Sequence, residues 1–182
     1  MIKSCLLFMT LLALLPEQSQ AQQLDVPFIP TPQAVVDKML EMAKVGPKDF
    51  LVDLGSGDGR ILVTAAKRFG ARGYGVDLNV ALIVVAEGNA REAGVADKVQ
   101  FAQKDLFKTD ISKASVLTLY LGWDMNLRVR SKIFQEMKPG SRVVSHGFDM
   151  GDWKPDRMEI VAGKSVYLWT VPPKGQGPIS VR

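Results

Sequence analysis

Apolar and polar positions change period several times along the chain, and each change marks an element. Val35, Val36, Met39, Leu40, Met42 and Ala43 recur at helical spacing up to about Val45. Thr31 stands where an N-cap belongs, Pro32 suits the first helical position, and Gly46-Pro47 closes the helix. The apolar run Phe50 to Leu54 reads as a first strand, and a glycine-rich loop then opens an amphipathic helix through about Phe69. Gly73 to Asp77 makes a second strand, Ala81 to Ala93 a helix stopped by Gly94, and Val99 to Ala102 a third strand. Ser115 to Leu121 is apolar enough for a fourth strand buried on both faces. Leu127 to Met137 is helical with Ile133, Phe134 and Met137 inward, and Lys138-Pro139-Gly140 turns the chain into a fifth strand, Arg142 to Ser145.

After that the alternation breaks. Met158 to Val161 and Ser165 to Val171 are two strands joined by Ala162-Gly163-Lys164, too short for a parallel crossover, so they pair antiparallel. Residues 172–182 are rich in Pro and Gly and read as a flexible tail. Strands alternating with helices over 50–145 predict an α/β fold, a Rossmann-like doubly wound sheet of seven strands, mostly parallel with the last antiparallel. Ligands in such sheets bind outside the carboxyl ends of the strands. That gathers Asp53, the glycine loop, Asp77, Asp105 and the 120–126 loop on one rim.

Composition narrows this only a little. The 182 residues suit one domain, and the net charge of +4 comes without a Lys/Arg block, so nucleic acid is not indicated as a partner. Residues 1–21 stand apart. Lys3 precedes an apolar stretch from Cys5 to Leu15, and Ser19-Gln20-Ala21 offers small residues for cleavage after Ala21, the layout of a secretory signal. The alternative is an anchor retained through residues 4–15, which would bring membrane contact with it. The folded domain is then 22–171. Loss of the leader removes Lys3 and Glu17, leaving the charge at +4, and removes Cys5, the one cysteine. Disulfides and thiolate catalysis are thereby excluded for a cleaved form. With a single histidine and no liganding spacing, no metal site is read.

The chemistry concentrates in Val52-Asp53-Leu54-Gly55-Ser56-Gly57-Asp58-Gly59-Arg60. Closely spaced glycines admit a ligand near the backbone, and the helix behind them offers free N–H groups. The acid before them suits an ammonium and a ribose better than a bare pyrophosphate. A dinucleotide loop wants G-x-G-x-x-G, but here the spacing is G-x-G-x-G and Arg60 takes the place of the third glycine. No Gly-Lys-Ser/Thr follows, so a triphosphate loop is excluded too.

Asp-Leu-Gly-Ser-Gly-Asp-Gly resembles motif I of the class I methyltransferases that use S-adenosylmethionine. The resemblance implies that Asp53, Gly55, Ser56, Gly57, Asp58 and Gly59 lie against the methionine part of that cofactor. It implies that Asp77, beside Leu78, accepts the ribose hydroxyls, and that Asp105, beside Leu106, faces the adenine amino group. A carboxylate accepts two hydroxyl protons well. Val26-Pro27-Phe28-Ile29-Pro30-Thr31-Pro32 is similar to the segment before motif I in small lysine methyltransferases of the FAM173 type, and residues 52–60 and Arg142-Val143-Val144-Ser145 fit that family as well. There the segment folds over the cofactor, which implies that Phe28 and Thr31 stand near the site.

Methyl transfer from a sulfonium is an in-line displacement, so the enzyme mainly aligns the nucleophile and shapes the electrostatics. The Asp/Asn-Pro-Pro-Tyr/Phe motif of adenine and glutamine methyltransferases is absent, its place taken by Tyr120-Leu121-Gly122-Trp123-Asp124. Tyr120, Trp123 and Asp124 are the candidates for the substrate channel, although Trp123 also suits a core position capping the sheet. His146 is either a general base or an ordinary loop histidine. Asp149, Asp152 and Trp153 either receive a cationic side chain or form a solvated turn. The expected activity is N-methylation of a protein lysine. Alternatives are a methyltransferase of small molecules and a module that binds S-adenosylmethionine without turnover. An outward-pointing leader stands in tension with a cytosolic cofactor, and the oligomeric state is not readable.

Overall fold

A computed structural model describes residues 28–176. The leader and the last residues of the expected tail, 177–182, lie outside the described residues. The chain runs α1 (Gln33–Met42), β1 (Phe50–Leu54), α2 (Arg60–Phe69), β2 (Arg72–Asp77), α3 (Val80–Glu92), β3 (Val99–Gln103), a 3-10 turn (Leu106–Lys108), β4 (Val116–Leu119), α4 (Trp123–Glu136), β5 (Arg142–His146), β6 (Arg157–Val161) and β7 (Lys164–Thr170). One sheet of seven strands holds them in the order β3-β2-β1-β4-β5-β7-β6. The first five strands run parallel, and β7 is antiparallel to both neighbours. The expected topology is therefore present.

Alternation along the strands divides the core in two. Leu51, Val116, Val144 and Val166 face α1 and α2, which contribute Val35, Val36, Met39, Leu40, Leu62 and Ala65. Val52, Leu54, Leu117, Leu119 and Val143 face the other way, under Val129 and Ile133 of α4. All four residues of β4 are buried, as their unbroken apolar run requires. The sheet reverses its order between β1 and β4, and this is where a cleft opens at the carboxyl rim.

Four local expectations need correction. Thr31 does not cap α1: Pro32 occupies the cap position without a side-chain bond, and the Thr31 hydroxyl is turned inward to His146. α4 begins at Trp123, not Leu127, because Gly122 at φ 107° turns the chain straight from β4 into helix. Trp123 and Asp124 therefore sit on the first helical turn. Trp153 is neither solvated nor a cation receiver: it is buried against Phe134 and Trp169, and its carbonyl accepts from Trp169 Nε1 at 2.7 Å. His146 is no loop residue either, since it ends β5 at 1% exposure.

Arg142, at the start of β5, ties the sheet to the end of α1. Its Nη1 donates to the carbonyls of Ala43 at 2.6 Å and Lys44 at 3.2 Å, and its Nη2 pairs with Asp49. Asp49 also accepts from Ser115 Oγ at 2.7 Å and the Gly46 N–H at 2.9 Å. Arg142→Met is expected to lower unfolding free energy by about 1–3 kcal/mol, because it leaves two carbonyls and a carboxylate short of a charged donor. The check is a urea midpoint that falls at unchanged slope.

Candidate active site

Asp53 is the last residue but one of β1, and after Leu54 the chain turns through the glycine loop directly beneath the end of β2. The N–H groups of Gly55 and Ser56 both donate to the Val76 carbonyl at 2.9 Å, and the Gly57 N–H donates to Asp77 Oδ2 at 3.0 Å. The other oxygen of Asp77 accepts from the Asn79 N–H at 2.9 Å. Gly57 has φ +54°, and a Cβ there would stand 2.4 Å from the Phe28 ring, so only glycine permits that ring to lie on the loop. Gly59 caps α2 at φ +76° and is pressed by Phe101 and Ala86, where a Cβ would meet atoms at 2.6 and 2.8 Å.

The cleft above the loop has a volume of about 310 Å³, a size that suits a small organic ligand. It brings together Phe28, Thr31, Asp53, Gly55, Ser56, Gly57, Asp58, Asp77, Leu78, Asp105, Leu106 and Tyr120 from the residues singled out in the sequence. Gly59 is not on its wall; its role is the packing just described. Trp123 and Asp124 also stand off the cleft wall, and Trp123 is 53% exposed, which rules out the core position. Its indole Nε1 donates to Asp149 Oδ1 at 3.2 Å. Asp152 is taken by Arg130.

Several lining residues escaped the sequence reading. Met125 enters because α4 starts early, and Arg128 follows one turn on, its guanidinium 4.2 Å from the centre of the Phe107 ring. Arg60, which the sequence marks as a departure from the dinucleotide loop and as part of the family-like stretch 52–60, also lines the cleft. Its Nε donates to Asp58 at 2.9 Å and its Nη1 to the Thr31 carbonyl at 2.9 Å, so it fastens the entering segment to the loop. An arginine directly after an acid-glycine pair was visible in the sequence; its reach to residue 31 was not.

Two buried groups carry unusual proton affinities. Asp53 is 2% exposed, and Oδ1 accepts from Thr118 Oγ1 at 2.7 Å while Oδ2 has no partner among the described residues. Burial pushes its carboxyl up to about 7; the Thr118 bond works against that and the nearby Asp77 and Asp58 reinforce it. His146 is pushed down to about 4, by burial first and then by Lys164. Its Nδ1 lies 3.1 Å from Thr31 Oγ1 and its ring stacks on Tyr120, centroids 3.9 Å apart. It is not among the residues lining the cleft and stands behind the wall that Thr31 and Tyr120 form.

A parallel α/β sheet with a glycine-loop cleft at its switch point, floored by an acid with a free buried oxygen and bordered by acids at the ends of β2 and β3, defines a class I methyltransferase. The family model for the ANTKMT methyltransferase domain matches residues 53–157, more than half of the chain, and the chain belongs to that family. It is 40% identical over 151 residues to a protein-lysine N-methyltransferase of Saccharolobus islandicus, covering 80% of this chain and 94% of the other. It is 32% identical over 157 residues to the mouse adenine nucleotide translocase lysine N-methyltransferase, covering 86% and 67%. A crystal structure of an RNA methyltransferase from Salinibacter ruber, with S-adenosyl-L-homocysteine bound, superposes with a TM-score of 0.81 at 51% identity, covering 85% of this chain and 99% of that one. The cofactor of this class is S-adenosylmethionine. The cleft fits it in the chemistry of its floor, where Asp53 Oδ2 is a buried carboxylate oxygen without a hydrogen-bond partner among the described residues.

The two titrating groups bear on stability with opposite sign. His146, lowered from 6.5 to about 4, favours the folded state fully above pH 6.5, and that contribution is lost as the pH falls towards 4. Asp53, raised from 3.8 to about 7, favours it fully below pH 3.8 and progressively less as the pH rises through 7. Between pH 4 and 6.5 the two oppose each other. Asp53→Asn is therefore expected to lose stability more steeply than wild type on acidification across that window. Urea unfolding in half-unit pH steps reads the slope, and parallel profiles would contradict the assignment.

Proposed function

We propose that this chain transfers a methyl group from S-adenosylmethionine to the ε-amine of a protein lysine. When bound, S-adenosylmethionine would supply an electrophilic methyl carbon, attacked in line by the neutral amine as the carbon–sulfur bond breaks and S-adenosylhomocysteine leaves. Asp53 Oδ2 takes the ammonium of the methionine part, which accounts for its being buried without a partner. Asp77, held by two backbone N–H groups, keeps lone pairs for the ribose hydroxyls, and Asp105, anchored through the Phe107 N–H at 2.8 Å, does so for the adenine amino group.

The lysine reading rests on the charge and chemistry of the cleft mouth together with the two lysine methyltransferase relatives. At the β4 end the wall is Tyr120 and Met125, and just outside stand Trp123, Asp124 and Asp149. Aromatic faces and carboxylates hold an ammonium and favour its approach. The name of the Salinibacter ruber structure raises RNA as the other substrate. Two of the cleft cations are engaged within the protein, Arg60 by Asp58 and Arg128 by the Phe107 ring, which does not favour a polyphosphate backbone.

Calorimetric titration with S-adenosylmethionine is expected to show one site per chain. Asp77→Ala is expected to weaken it about tenfold or more, since hydrogen bonds to a charged group are each worth ~1.5–3 kcal/mol. With methyl-labelled cofactor and a cell lysate, label is expected in protein, on lysine. Label in RNA, or only in small molecules, would overturn the substrate assignment while leaving the cofactor site standing.

A further inference from the structure

His146 is the one buried titratable residue at the rim that the chemistry above does not use. It sits behind the cleft, and its ring meets two residues that form the cleft wall, Thr31 by a nitrogen and Tyr120 by a face. Thr31 belongs to the segment 28–31 that roofs the glycine loop. Ile29 and Thr31 each precede a proline and are held extended, and Pro30 and Pro32 have no N–H to give. Side chains therefore do much of the work of holding this strap in place. Phe28 lies on Gly57, Arg60 Nη1 grips the Thr31 carbonyl at 2.9 Å, and the Thr31 hydroxyl meets His146 Nδ1 at 3.1 Å in a buried contact.

We propose that His146 is a positioning residue of the methyl-transfer site, which holds the strap closed over the cofactor cleft through Thr31, with the Tyr120 stack setting the angle of its ring. The proposal rests on the cofactor reading given above. An imidazole is suited to this place because it offers a flat face to one partner and an in-plane nitrogen to the other. The stack lies at 3.9 Å and 28° to Tyr120, so the ring plane, and with it the direction of Nδ1, follows the tyrosine. Nε2 is buried without a partner. An unpaired buried N–H costs more than a bare ring nitrogen, which favours the tautomer whose proton is on Nδ1, donated to Thr31 Oγ1. Phenylalanine keeps the stack and loses the nitrogen; asparagine keeps a polar atom near Nδ1 and loses the stack.

The experiment is the dissociation rate of S-adenosyl-L-homocysteine from the full chain, measured by stopped flow, with unfolding temperature recorded for every variant. Thr31→Val, close to isosteric, and His146→Phe are each expected to release the ligand about five- to tenfold faster, the value of one hydrogen bond. In the double variant the two effects are expected not to add. Thr31→Ser, which keeps the hydroxyl, restores retention. Because the chain has a single histidine, its ring ¹⁵N resonances report the contact directly and are expected to shift in Thr31→Val without any ligand. Unchanged release from Thr31→Val, or additive effects in the double variant, overturns the proposal. If wild type binds no ligand, the cofactor reading fails and this role with it, and the ¹⁵N shift still reports whether the Thr31–His146 contact exists.

Discussion

The carboxyl rim depends on how closely the glycine loop passes under the end of β2. Two successive N–H groups, from Gly55 and Ser56, converge on the Val76 carbonyl, and the next glycine reaches the Asp77 carboxylate. Once that approach is made, the rest of the cofactor half follows. Asp77 is locked in place by the loop it faces, α2 starts at Arg60, whose N–H donates to Asp58 Oδ1 at 3.2 Å, and the face of Gly57 becomes the seat for Phe28. A side chain at Gly55, Gly57 or Gly59 would meet atoms closer than 3.0 Å, so the loop tolerates no general substitution. The constraint is steric before it is chemical.

The site is also electrostatically expensive, and the expense has a pattern. Asp53 is buried beneath other carboxylates and holds its proton to about pH 7, while His146 is buried and sheds its proton down to about 4. Each is kept in, or close to, its neutral form by its burial in the protein. Asp53 has an unpaired oxygen facing a cleft that takes a cationic ligand, so binding an ammonium there would relieve its burial. His146 has no such relief, because its remaining nitrogen is closed off from the cleft. Asp53 lines the cleft and His146 stands behind it, which is what separates a binding residue from a positioning one here.

Most of the fold was legible from periodicity, because strands and helices alternate cleanly and β4 reads as buried on both faces. The cofactor half was legible for a related reason. Its acids stand at strand ends, where topology alone brings Asp53, Asp77 and Asp105 to one rim. What failed was non-local. Thr31 looks like a cap by its neighbours, yet its hydroxyl is claimed by a residue 115 positions away. Trp153 looks like an exposed loop aromatic because the stretch around it is polar, yet the Phe134 and Trp169 rings enclose it. α4 starts early because Gly122 adopts φ 107°, a choice that a lone glycine does not announce. Side-chain reach, such as that of Arg60 to residue 31, lies beyond any local pattern.

The same distinction explains why the cofactor is easier to read than the acceptor. Cofactor contacts come from short segments whose backbone geometry is set by glycines and strand ends, so their chemistry is written in contiguous residues. The proposed acceptor side draws on the end of β4, the first turn of α4 and the loop after β5, joined by contacts such as Trp123 to Asp149 and by Asn126, whose buried amide donates to Ser145 Oγ and the Phe148 carbonyl at 3.0 Å. Those contacts fix the position of the loop carrying Phe148 and Asp149 against a rigid helix. Replacing that loop changes what approaches Tyr120 without touching Asp53, Asp77 or the glycine loop. Cofactor and acceptor chemistry carried on separate segments of one fold leave the second free to change without the first.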